Sequence, residues 1–169
     1  VDPNDVNYIG RVWKERNPEV AAIEVTDADF YSGNQCMKYI YDCHPEPHWS
    51  EVFTILPDNI DISDYKTLNF WIRGKTEKQA DEDMYVVLYT VKDPSQPVVD
   101  HTNLSMLGKS IAYKATQFAK WRNLRFPLNY NYEQLKKVRA IGFGMRPRTY
   151  GTGFLYIDSI SFEEKSFGG

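Results

Sequence analysis

Hydrophobic and polar positions alternate along most of this chain, and the clearest alternation lies in its last third. Across Val138–Met145, Ile141, Phe143 and Met145 interleave with Gly142, Gly144 and then Arg146, the period of two expected of a half-buried strand. After the Gly- and Pro-bearing stretch Arg146–Gly153, the run Phe154–Phe162 keeps Leu155 and Ile157 in phase, then restarts at Ile160 and Phe162. The slip at Asp158-Ser159 predicts a β-bulge there. Upstream, strands are expected over Val20–Val25, Cys36–Tyr41, Trp49–Leu56, Thr67–Gly74, Met84–Val91, Ser110–Ala115 and Trp121–Pro127. Leu68, Phe70 and Ile72 fall on one face of their strand, with Asn69, Trp71 and Arg73 on the other. The one helical candidate is Tyr132–Lys137, with Asn131 as its N-cap.

Short strands at turn-punctuated spacing imply an all-β antiparallel sandwich of two packed sheets, the jelly roll. Alternating the strands between layers puts Cys36–Tyr41, Thr67–Gly74, Trp121–Pro127 and Phe154–Phe162 in one sheet. Trp49–Leu56, Met84–Val91, Ser110–Ala115 and Ile141–Met145 fall in the other. If Met84, Val86 and Leu88 face the core, then Tyr85, Val87 and Tyr89 face outward, beside Gly142, Gly144 and Arg146. Glycines on that outer face would leave a smooth floor suited to a flat ligand.

At 169 residues the chain fits one domain. Residues 1–19 read as an N-terminal lead-in, 20–163 as the sandwich, and 164–169 as a linker. Twelve Tyr, nine Phe and four Trp exceed what a core of this size needs, so some should be exposed. A net charge of −3 argues against nucleic acid as a partner. No apolar stretch approaches the roughly 20 residues of a membrane span.

Cys36 and Cys43 are seven residues apart, so an extended chain would separate them by more than about 20 Å. That exceeds disulfide reach, and free thiols are expected unless a sharp turn intervenes near Asp42. His44 and His48 have the spacing of helical metal ligands, but Pro45 and Pro47 forbid the helix. Ser, His and Asp occur in no Gly-x-Ser-x-Gly setting, and no two carboxylates are singled out as a glycosidase pair. Asp81-Glu-Asp83 reads as a solvated loop. The residues therefore favour a binder over an enzyme.

Several stretches resemble the jelly-roll carbohydrate-binding modules of family 11 and the similar families 4, 22 and 30. They are Ser32-Gly-Asn34, His48-Trp49, Asp61–Gly74, Trp121–Pro127, Val138–Gly144 and Tyr156–Ile160, in order and at compatible spacing. The resemblance implies binding of a plant cell-wall polysaccharide, foremost β-glucan, in a sheet-face cleft, and no catalysis. It also implies secretion and tethering to a glycoside hydrolase. Ligand contacts would come from His48, Asp100, His101, Tyr130 and Arg146. Two departures stand out, since the family 11 pattern has tyrosines where this chain has His48 and Met145.

Sugar rings present C–H faces that stack on aromatic rings, while their hydroxyls bond planar polar groups. On that chemistry Tyr85 and Tyr89 are candidate platforms, with ordinary cross-strand packing as the competing reading. Arg146 and Arg148 are candidate hydroxyl partners or solvated loop cations. Trp49 stands at the mouth of the expected cleft but shares parity with Phe53 and Ile55, which look like core. Trp71 and Trp121 fall on the opposite sheet as structural residues. Many such modules carry structural calcium, and the resemblance assigns it to Asp158 with carbonyls of Ser32–Asn34. The alternatives are a small jelly-roll polysaccharide-cleaving enzyme and a galactose-binding-like protein-interaction domain.

Overall fold

The computed structural model describes residues 13–26, 36–42, 49–58, 60–74, 81–146 and 152–164. Ten strands form two five-stranded antiparallel sheets packed face to face as a jelly-roll sandwich. The first sheet, here called sheet A, runs in the order β1 (Lys14–Glu15), β4 (Ser50–Ile55), β9 (Val138–Arg146), β6 (Asp83–Val91) and β7 (Leu104–Ala112). Sheet B runs β2 (Ala21–Thr26), β3 (Cys36–Asp42), β10 (Thr152–Glu163), β5 (Thr67–Arg73) and β8 (Arg122–Pro127). The expected division of strands between layers therefore holds.

The core between the sheets takes one parity from every strand. Leu68, Phe70 and Ile72 of β5 and Val86 and Leu88 of β6 are buried there, with Ile141, Phe143 and Met145 of β9. Phe70 and Phe143 meet across the layers at 4.7 Å between ring centres. The phase slip is a bulge, as expected: pairing of β10 with β5 shifts between Asp158 and Ser161, and Ser159 takes φ 52°. A positive φ at a non-glycine residue has a local remedy here, because the Ser159 amide donates to Asp158 Oδ1 at 2.7 Å. The expected helix is present as α1 (Tyr132–Lys136), closed by a reciprocal capping box between Asn131 and Gln134.

Three expectations need correction. The lead-in is, in its described part, structural: Lys14 pairs with Phe53 in sheet A, and Trp13 stacks on Phe143 at 5.2 Å. The strand expected at Ser110–Ala115 begins at Leu104 and ends at Ala112. Its first half hid because a register shift opposite Leu88 and Tyr89 breaks the alternation. Glu82 and Asp83 do not form a solvated loop but are buried, at 2% and 6% exposure. The Glu82 amide donates to Thr116 Oγ1 at 2.8 Å, and Asp83 Oδ1 accepts the Lys114 amide at 2.7 Å. Cys36 is buried in β3; Cys43 lies outside the described residues.

Candidate functional site on the outer face of sheet A

The outer face of sheet A carries a second buried cluster, made of Phe53, Tyr85, Val87, Tyr89, Leu104 and Ala140. Trp49, Glu51, Phe53 and Ile55 share one parity of their strand segment, and Phe53 belongs to this outer cluster. The parity that seemed to place Trp49 among core residues thus places it on the outer face. Trp49 is 45% exposed and meets Tyr85 edge-on at 5.7 Å.

The glycines do not form an open floor. A Cβ on Gly144 would lie 2.0 Å from the Tyr85 ring, and one on Gly142 would lie 2.8 Å from Val87. Side chains from the neighbouring strands already fill both slots. Tyr85 lies over Gly144, its register partner, and the two strands flanking β9 meet across the glycines. Tyr85 sinks into the Gly144 slot and Tyr89, whose register partner is Ala140, packs into the same cluster, so both face outward as expected yet are only 2% and 3% exposed. Neither presents a free face for stacking, and truncating either would leave a cavity in a packed cluster.

Beneath them sits Glu51, itself 3% exposed and not singled out from the sequence. Tyr85 Oη donates to Glu51 Oε1 at 2.7 Å and Tyr89 Oη to Oε2 at 2.5 Å. Arg16 Nη1 approaches Oε1 at 3.4 Å, and His101 Nε2 stands 3.6 Å from Oε2. Burial alone would raise the Glu51 pKa. The nearby His101 imidazole, the Tyr89 and Tyr85 hydrogen bonds and the Arg16 charge outweigh it, holding the carboxyl below its ordinary range. Burial, and then the adjacent Glu51 charge, push both tyrosine hydroxyls above theirs. The network is thus a carboxylate anion held by neutral phenols. An Arg16–Tyr89 contact at 3.4 Å completes it.

Part of this face is roofed. The segment between β6 and β7 reaches back across the sheet, where Lys14 Nζ donates to the Val99 carbonyl at 3.1 Å. His101 meets Phe53 at 5.3 Å and Tyr89 at 4.8 Å, both edge-on. Asp100 is exposed, and its side chain caps the turn His101–Asn103 by accepting the Thr102 amide. Asp100 and His101 are therefore at the expected face, with His101 helping to roof it rather than lying open along it.

The open end carries cations over aromatics. Lys109 Nζ lies 4.3 Å from the Trp49 ring centre and 4.4 Å from that of Tyr85. The exposed Arg146 guanidinium lies 5.7 Å from the Trp49 ring centre. Both geometries lie within the roughly 6 Å of a cation–π contact. Tyr130 is elsewhere. It packs on the core between the sheets, near Leu88 of β6 and Phe126 of β8, and is not brought to this face. His48 and Arg148 lie outside the described residues.

Trp71 and Trp121 sit on the sheet B side, both half-buried, and Trp121 meets Tyr156 at 6.4 Å. Asp158 lies in the bulge of β10 and offers one carboxylate, whose Oδ1 holds the Ser159 amide. Among the described residues no three or more His, Cys, Asp or Glu side chains converge, while calcium takes six to eight oxygens. The Ser32–Asn34 turn, whose carbonyls would complete the expected calcium site, lies outside the described residues.

Arg16, Glu51 and Lys109 were missed by sequence reasoning. A usable signal was present for Glu51: an acid at an alternating position between Trp49 and Phe53, opposite a Gly-x-Gly strand.

No protein-family model matches this chain, and no curated protein matches its sequence. Solved structures of jelly-roll carbohydrate-binding modules share its fold. A family 11 module from Clostridium thermocellum, solved with a β-1,3-1,4-mixed-linked tetrasaccharide, aligns with TM-score 0.60 at 12% identity, covering 89% of this chain and 88% of that one. The family 27 module CBM27-1 from Caldicellulosiruptor saccharolyticus, solved with mannohexaose, aligns with TM-score 0.61 at 12% identity over 97% of each chain. A family 28 module specific for non-crystalline cellulose aligns with TM-score 0.61 at 9% identity over 96% of this chain and 93% of that one.

Proposed function

We propose that this chain is a non-catalytic carbohydrate-binding module that engages a plant cell-wall polysaccharide on the outer face of sheet A. The observation that carries the reading is Trp49. It is a 45% exposed indole at the open end of a rigid, buried aromatic cluster on the sheet face. A sugar ring laid on the indole buries C–H surface, and Lys109 and Arg146 beside it donate to hydroxyls. The cluster beneath holds these groups in place, so little ordering entropy is lost on binding.

Glu51 supports binding over cleavage. A general acid or base needs a carboxyl that can reach substrate and exchange its proton. Glu51 is buried, and each of its oxygens already accepts a tyrosine hydroxyl. β-Glucan is the first ligand to test, because the family 11 neighbour was solved with a mixed-linkage glucan oligosaccharide. In its working context the domain would be secreted and tethered to a glycoside hydrolase, which it holds near its substrate.

The test is an affinity-gel series with cellulose derivatives, mixed-linkage glucan, xyloglucan, xylan and mannan, followed by calorimetry. Micromolar to millimolar dissociation constants are expected, about −8 to −4 kcal/mol. Retardation by none of these polymers, or release of reducing sugar by the isolated domain, would overturn the reading.

A further inference from the structure

Among the described residues the exposed charge around Trp49 is one-sided. Lys109 and Arg146 both stand over its ring, and neither makes an ion pair with an acid among the described residues. Arg16 stands on the same face, its side chain 49% exposed where it approaches Glu51. Of the acids that could balance them, Glu51 is buried under two tyrosine hydroxyls. Asp83, the register partner of Arg146, is also buried and accepts the Lys114 amide. Asp100 is exposed, but its carboxylate is turned onto Thr102 of its own turn. The chain as a whole carries −3, so a cationic cluster here is a local feature and not a general surface property.

Lys109 shows what this crowding does. Burial pushes its ammonium pKa down; Glu51 opposes that, while Arg146 and Arg16 add to it. Cations held this close over aromatic rings, without an acid of their own, are stabilised by an incoming anion. Neutral hydroxyls would satisfy donors but leave the repulsion in place.

Resting on the polysaccharide-binding reading, we infer that the ligand carries carboxylates: a plant polysaccharide with uronic-acid residues. Its sugar ring meets the exposed part of Trp49, and its carboxylate takes Lys109 and Arg146. Guanidinium and carboxylate pair in a planar fork, which adds direction to the charge attraction.

The test is calorimetry on the whole chain at about 0.05 M and about 0.5 M salt, which shortens the screening length severalfold. The probes are glucuronoxylan and polygalacturonate, with mixed-linkage glucan and unsubstituted xylan as neutral controls. Polyglutamate supplies carboxylates without sugar. An acidic glycan should bind about tenfold tighter than either neutral polymer at low salt and lose most of that margin at high salt. Lys109→Gln and Arg146→Gln should each weaken the acidic glycan severalfold. Arg146, being exposed, gives a variant whose unfolding temperature is unchanged, so the result stands even if Lys109→Gln disturbs the cluster.

Neutral glycans bound as tightly as acidic ones, without salt dependence, would overturn this inference and leave the polysaccharide reading intact. Polyglutamate bound as tightly as the acidic glycans would overturn it as well, reducing the site to charge alone. If no glycan binds, both readings fall.

Discussion

The two sheets of this sandwich are built alike on the inside and differently on the outside. On the outer face of sheet B, polar groups are shared laterally between neighbouring strands. Asn123 donates to Asn69 Oδ1 at 2.6 Å, Arg125 stands 3.8 Å from Glu163, and Lys38 lies 5.0 Å from the Phe154 ring centre. On sheet A the acid is driven inward. Glu51 is buried, its partners are phenols, and the cations Lys109 and Arg146 are left above the rings. Sheet B, too, holds cations over rings, with Lys38 and Arg73 both over Tyr156, but among the described residues only sheet A sets a buried carboxylate beneath its cations. A face that only needed solvation has no use for a buried carboxylate, because desolvating one is costly until every lone pair is matched. The asymmetry is the physical reason for proposing the ligand face on sheet A.

The largest expected effect comes from removing the inner anion. Glu51→Ala leaves two buried phenols without their acceptor, and should cost about 3 kcal/mol in denaturant unfolding. Asn69→Ala, its counterpart on sheet B, should cost about 1 kcal/mol. Equal losses would erase the distinction between the faces.

Gly144→Ala comes next. Its methyl would meet the Tyr85 ring at 2.0 Å, so the ring must leave its slot, at about 1–3 kcal/mol by overpacking. The same change should weaken glycan binding, because Trp49 rests against that ring. An unchanged melting temperature would mean that Tyr85 has room to yield.

Acid titration sharpens the contrast further. The folded Glu51 pKa lies below its ordinary 4.5, so its contribution is fully present above that pH and is lost as pH falls through the folded value. Glu51→Gln should therefore flatten the acid limb of the stability curve below about pH 4.5. A parallel acid limb in the variant would show that Glu51 is not differentially ionised on folding.

The smallest effect on folding is expected at Trp49. Trp49→Ala should change stability by no more than about 0.5 kcal/mol, since the indole is 45% exposed. It should weaken glycan binding by about 1–3 kcal/mol, taking the scale of ring stacking on planar ligands. Trp71→Ala and Trp121→Ala, on the half-buried sheet B side, should lower the melting temperature and spare affinity.

The strand pattern made the layers legible, because alternation reports which residues face a core. It found the bulge at Asp158-Ser159 and the cap at Asn131 for the same reason, since both are local. What it could not report is the second layer of packing outside sheet A. Alternation says that Tyr85 and Tyr89 leave the core between the sheets, but not that Gly144 on β9 lets Tyr85 sink into the face or that Tyr89 packs beside it against Ala140. Nor does it say that the chain around His101 folds back over Phe53. Lys109 lies one residue ahead of the stretch where the strand was expected, and Arg16 in a stretch that read as a lead-in. Tyr130 was assigned by likeness to other chains, and here it packs on the core.

The four tryptophans allow the central claim to be tested in one experiment. Trp49 stands on the outer face of sheet A, Trp71 and Trp121 on the sheet B side, and Trp13 is stacked on Phe143. Nitrogen–proton correlation spectra resolve their indole signals, and a soluble acidic xylan or β-glucan can be titrated in. The account predicts that the Trp49 indole shifts progressively and saturably while those of Trp71 and Trp121 stay in place. Movement of Trp71 or Trp121 with Trp49 unmoved would put the ligand on the other sheet and contradict it.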